Sequence, residues 1–205
     1  MQSCPGRERA LETTLSSVGR SDLGCVDAVS VHPPGVSMRS HFLSTLDAIA
    51  KSGRRFGLRL EDDVTVGEYI LWNLGTWPAL DEPDFGAGWG FVPFSVATGP
   101  SHKHETARGN VCFPAPELVC SQCVLIRAAD ATAIATRCHA LWNTVDGQQD
   151  RALSRAVWEM GRRVYLHLPP VCEHDLRHPS TLAQDRRSEP TLLSTFGLFE
   201  ADWRR

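Results

Sequence analysis

Short apolar runs alternate with segments of helical period along most of this chain, and that alternation restricts the fold more than any other feature. From Arg7 to Val18 the apolar positions Ala10, Leu11, Leu15 and Val18 recur at helical spacing. Cys25 to Val31 reads as a short strand stopped by Pro33-Pro34-Gly35. Ser37 is placed to cap a helix that runs to Lys51, with Met38, Phe42, Leu46 and Ile49 on one face and Gly53 beyond its end. Phe56 to Leu60 is an apolar strand, followed by a helix over about Glu68 to Trp77. Val119 to Ile126 predicts a strand, Ala128 to Leu141 a helix, Gln148 to Met160 a helix closed by Gly161, and Val164 to Leu168 a strand. This order predicts an α/β domain, a mostly parallel central sheet with helices on both faces.

The chain reads as one domain over residues 1–205, with an insert at about 78–117 rich in Pro, Gly and aromatic residues. Strand character is expected there from Trp89 to Val96, and a loop around Gly99 to Asn110. The aromatic side chains of the insert suit stacking on sugar rings or bases. His102-Lys103-His104 reads as a surface loop or lid, with metal binding as the other reading.

Three carboxylates, Glu61, Asp62 and Asp63, follow the Phe56–Leu60 strand directly. In open parallel sheets, ligands bind at the carboxyl ends of strands. Like charges packed together raise one another's pKa, and a divalent cation removes that conflict. Mg²⁺ and Mn²⁺ prefer carboxylate oxygen and keep positions open for substrate phosphates. Strand alternation would put Glu61 and Asp63 on one face. The competing reading is a solvated turn in which Asp62 or Asp63 caps the next helix.

Net charge is −3, with 42% hydrophobic and 22% charged residues, so composition gives no global pull toward nucleic acid or anionic membrane. Paired arginines at 54–55, 162–163, 186–187 and 204–205 leave a local basic stripe open. No apolar run reaches the ~18–20 residues of a membrane span. The polar first ten residues predict no signal peptide. Seven cysteines, an odd number, predict reduced thiols in a cytoplasmic setting. Cys120 and Cys123 form a lone CxxC near Cys112, Cys138 and His139. A structural zinc is one reading of that cluster, and a core-facing Cys123 is the other. A P-loop and a G-x-S-x-G elbow are both missing.

Leu60-Glu61-Asp62-Asp63-Val64 resembles the LEDDV version of the DxD motif of GT-A glycosyltransferases. Arg9 to Ser17 resembles the first helix of such enzymes, and His41 to Ala48 the helix before their DxD strand. Tyr165 to Leu182, with Pro169-Pro170, His174 and Ser180-Thr181-Leu182, resembles their C-terminal block. The resemblance implies a GT-A-like, Rossmann-related fold whose first strand is short or missing here, because four residues precede Pro5-Gly6-Arg7. It implies metal-dependent transfer of a sugar from a nucleotide-sugar donor, UDP-linked, with inversion at the sugar. Asp63 and His174 are then metal ligands for Mn²⁺ or Mg²⁺, and Glu61 is shared between metal and ribose. The family's glycine after the histidine is replaced by Asp175-Leu176-Arg177-His178-Pro179. His178 becomes a rival ligand and Arg177 a diphosphate contact. Arg7, Arg9 and Asp62 join Glu61 as donor-binding candidates. The catalytic base is expected at the start of the helix before the last strand, at Asp150 with Asp146 as the alternative. Asp146 as a plain helix cap is the other reading. Glycan, lipid, small molecule, peptide and a modified DNA base all remain open as acceptors. Two other classes stay open: a nucleotidyl- or phosphotransferase on the same acidic site, and a non-catalytic nucleotide-binding module.

Overall fold

A computed structural model describes residues 2–3, 7–90, 105–107, 110–113, 121–145, 148–167 and 170–174. Among these, the helices are α1 (Glu8–Arg20), α2 (Met38–Lys51), α3 (Ile70–Gly75), α4 (Ala128–Leu141) and α5 (Gln149–Glu159). The strands are β1 (Gln2–Ser3), β2 (Ser30–Val31), β3 (Phe56–Leu60), β4 (Val64–Val66), β5 (Phe85–Trp89), β6 (Glu105–Ala107), β7 (Asn110–Phe113), β8 (Cys123–Arg127), β9 (Arg163–His167) and β10 (Cys172–His174).

Local chemistry sets several of these ends. Ser37 caps α2 by accepting from the Ser40 N–H, and Gly53 follows the helix at φ 69°. Gly161 does the same after α5, also at φ 69°. The amino end of α3 is capped from a distance: both oxygens of Asp22 accept backbone N–H groups, from Leu71 and Trp72, each at 2.8 Å.

The main sheet has the order β3-β8-β5-β9-β7-β6. It is mixed, which corrects the expectation of a mostly parallel sheet. Only β5–β9 is a parallel pair; β3–β8, β5–β8, β7–β9 and β6–β7 are antiparallel. The reason is the insert. Parallel neighbours need a crossover that returns the chain to the starting edge, usually a helix. Strands β6 and β7 lie between β5 and β8, and β8 enters the sheet between β3 and β5 running the opposite way. Strands β3, β5 and β9 nevertheless share one direction, so their carboxyl ends lie on one edge.

Both faces of the sheet are covered, as expected. On one face Ala87, Trp89, Val124, Ile126, Val164 and Leu166 meet Phe42 and Leu46 of α2, Ile134 of α4 and Leu153 of α5. On the other face Leu60, Phe85, Cys123, Leu125 and Tyr165 meet Val18 of α1, Ile70 and Leu74 of α3, and β4. A bulge in β5 lets Phe85 and Ala87 face opposite ways: Phe85 pairs with Arg163, yet Ala87 pairs with the very next residue, Val164. The residue between them has to be glycine, because a Cβ on Gly86 would lie 2.5 Å from Val157.

The first strand is present but only two residues long, paired in parallel with β2 as a separate ribbon. The strand expected over Cys25–Val31 shrinks to β2. A second ribbon, β4–β10, has no counterpart among the strands that the sequence pattern predicts. Within the insert, strand β5 starts earlier than expected, at Phe85, and β6 occupies part of the anticipated loop. Residues 91–104 lie outside the described residues. Among the described residues no helix is long and apolar enough to cross a membrane.

Candidate functional site

The acidic run forms a turn between β3 and β4, at the edge where β3, β5 and β9 end. Glu61 keeps one further sheet contact, its N–H donating to the Gln122 carbonyl at 2.9 Å. Asp62 and Asp63 form the turn itself. Helix α1 clamps that turn. Thr14 Oγ1 lies 2.9 Å from the Asp62 carbonyl and 2.8 Å from the Val64 carbonyl, its two possible acceptors, and it accepts from the Val64 N–H at 3.2 Å. One turn on, Ser17 Oγ accepts from the Val66 N–H at 3.3 Å and donates to the Thr14 carbonyl.

The three carboxylates do not act as one group. Arg7 donates from Nε to Asp62 Oδ1 at 2.9 Å and from an Nη to Asp63 Oδ2 at 2.6 Å. All three side chains are about nine-tenths buried. Burial alone would pull the Arg7 pKa down, but Asp63 and then Asp62 carry it above its ordinary value. Glu61 turns elsewhere. Its Oε1 accepts from Gln149 Nε2 at 2.7 Å, Ser121 Oγ at 2.9 Å and Arg59 at 3.2 Å. Arg59 is 2% exposed, lies over the Phe42 ring, and also donates to the Ser121 carbonyl at 2.8 Å. Burial pushes the Glu61 carboxyl up, opposed by Arg59 and reinforced by the neighbouring Asp63.

Strand alternation therefore fails to predict this arrangement. Regular strand geometry ends at Glu61, so side chains 61 and 63 are sorted by their partners and not by the pleat. The capping alternative fails too, because Asp62 and Asp63 both serve Arg7 and the next helix is capped by Asp22.

The remaining candidates separate clearly. Strand β10 pairs with β4 so that His174 stands opposite Val64, next in sequence to Asp63. Asp150 lies in the first turn of α5, half-buried, accepting from the Arg151 N–H at 2.8 Å. Its neighbour Gln149 ties that helix end to Glu61. Arg7 is expected to meet the nucleotide, but its guanidinium is engaged by the acidic turn. Arg9 is exposed on α1. Asp146, Arg177, His178, Cys120, His102 and His104 lie outside the described residues. Cys123 is fully buried as a free thiol, in line with a core-facing residue. A groove of about 500 Å³ opens beside the turn, lined by Ser17, Arg20, Ser21, Thr65, Val66 and Glu68.

Among the described residues no group of three His, Cys, Asp or Glu side chains is arranged to hold a metal ion. Asp62 and Asp63 already grip a positive charge, the Arg7 guanidinium, in a buried turn. Oxygen donors of this kind suit Mg²⁺ or Mn²⁺.

The supporting residues were missed by sequence reasoning, though signals for them exist. Thr14 and Ser17 lie on the buried face of α1 with Ala10 and Val18, and a buried hydroxyl there must find a polar partner. Arg59 inside an apolar strand demands a counter-charge, and Glu61 two residues on supplies it. No protein-family model matches the chain, and comparison with curated proteins finds no significant match.

Proposed function

We propose that this chain transfers a sugar from a nucleotide-sugar donor, UDP-linked, to an acceptor hydroxyl, with inversion and with the help of Mn²⁺ or Mg²⁺. The observation that carries this reading is the β4–β10 register, which brings the backbone of His174 beside the acidic turn at the edge where β3, β5 and β9 end. Asp63 and His174 hold the cation, with Glu61 between cation and ribose. When bound, the cation offsets the charge that develops on the leaving diphosphate. Arg9 and Arg177 meet the diphosphate from the protein side. Asp150 takes the proton from the attacking hydroxyl. Gln149, through its bond to Glu61, holds the Asp150 end of α5 near the donor.

The test is release of nucleoside diphosphate from a panel of nucleotide sugars in Mn²⁺. Metal-dependent release, or tight binding, that disappears in Asp63→Ala supports the reading. No release and no metal-dependent binding across the panel would leave a non-catalytic nucleotide-binding module. Arg7's hold on both aspartates favours that second reading.

A further inference from the structure

Two histidines away from the acidic turn lie face to face. His32 follows β2, and His41 stands in the first turn of α2. Their ring centroids are 5.0 Å apart and their planes differ by 5°. Each ring also has a polar anchor. His32 Nε2 is 2.5 Å from the Val36 carbonyl, and His41 Nε2 is 2.8 Å from Ser30 Oγ. A carbonyl can only accept, so His32 carries a proton on Nε2. The two anchors therefore span the segment from Ser30 to Val36.

That segment has little else of apolar character to fasten it. Val31 and Val36 are 48% and 38% exposed, so their side chains bury little against the body. Segments with few buried contacts open at low free energy. Beside the two-residue pairing of β2 with β1, the ring stack and the His41–Ser30 bond hold the segment to the body.

The surroundings of His41 disfavour a second charge. The ring is 2% exposed. It is faced by His32 from the loop after β2, Ser30 from β2 and Arg59 from β3. None of these three is a carboxylate. Burial, then His32, then Arg59 hold His41 below its ordinary pKa of 6.5, against a hydrogen bond with Ser30 that raises it. The sign follows. His41 binds the proton more tightly once the segment has lifted than while it is docked, so attachment is strongest above 6.5 and weakens as pH falls through the window beneath it.

We propose that the His32–His41 stack is an acid-operated latch that fastens residues 30–36 to α2 while the His41 ring is neutral and releases them when it takes a proton. The sheet and its covering helices stay folded. The device is independent of any transferase activity.

Histidine NMR titration and amide hydrogen exchange test this on the intact chain. The His41 ring should titrate below the ordinary histidine range, and His32→Asn should move its midpoint upward. Exchange over residues 30–36, corrected for intrinsic rates, should rise on acidification by up to about tenfold per pH unit for one linked proton. Exchange in α4 should stay constant. His41→Phe keeps a flat ring but cannot take a proton, so it should flatten the pH dependence. The latch is overturned if the wild-type segment exchanges at one rate from pH 7.5 to 5, if it opens only together with α4, or if His41→Phe leaves the pH dependence intact. The wild-type measurements decide even if a variant does not fold.

Discussion

His174 stands directly opposite Val64 across the β4–β10 pair, so the C-terminal histidine and the acidic turn share one short ribbon. That ribbon is held from the other side by α1, through Thr14 and Ser17. Anything that loosens α1 should therefore loosen the turn and the strand of His174 together.

Arg7→Gln removes the guanidinium that ion-pairs with both Asp62 and Asp63. Breaking a buried ion pair leaves uncompensated charge, which costs about 3–5 kcal/mol. Urea unfolding should show that loss. On the proposed reading, Mn²⁺ recovers part of it, because a divalent ion can replace the missing positive charge. A loss under about 1 kcal/mol would mean that the turn behaves as a solvated surface pair.

Thr14→Val keeps the shape of the side chain and deletes the hydroxyl that bonds the turn. Buried carbonyl and N–H groups would lose their partner, at about 1–3 kcal/mol. Hydrogen exchange at the Val64 amide should accelerate in step. Thr14→Ser keeps the hydroxyl and should retain most of the protection.

Gly88→Ala tests the packing of β5. A Cβ there would lie 2.4 Å from Trp77 Cζ3. Overpacking of this kind costs about 1–3 kcal/mol. Combining it with Trp77→Leu should give less than the sum of the two single losses, since the second change removes the obstacle.

The buried thiols set an alkaline limit. Burial pushes Cys138 up from 9.0 to about 12, and Cys172 also lies well above the ordinary value. Above pH 9 the unfolded chain gives up these protons while the folded chain keeps them. Stability should then fall as pH rises, by up to about 1.4 kcal/mol per pH unit for each thiol. Thiol labelling of the native protein at pH 8 should mark Cys25, which is exposed, and spare Cys123, Cys138 and Cys172. Rapid labelling of Cys138 without unfolding would contradict the burial that raises it.

Local signals in the sequence specified the local elements well. Strand β3 and helix α4 have the bounds that their patterns predict, and α2 runs from its Ser37 cap to Lys51. The direction of β8 was not legible, because an apolar strand reads alike whichever way it enters a sheet. Three-residue strands such as β4 and β10 are too short to show a period. The position of the acidic turn was legible from the run itself, but not its division of labour. Arg7 reaches Asp62 across 55 residues of chain, and Gln149 reaches Glu61 across 88. Such pairings are decided by packing, and no spacing rule anticipates them.

The hydroxyls of α1 have one more effect. The Val64 and Val66 N–H groups face Thr14 and Ser17, so a helix takes hydrogen bonds that a further strand would otherwise take. An open strand edge is a template on which a second chain can polymerise. Along β4 that template is blunted from within the molecule, and the acidic turn can stay near the surface without seeding aggregation there.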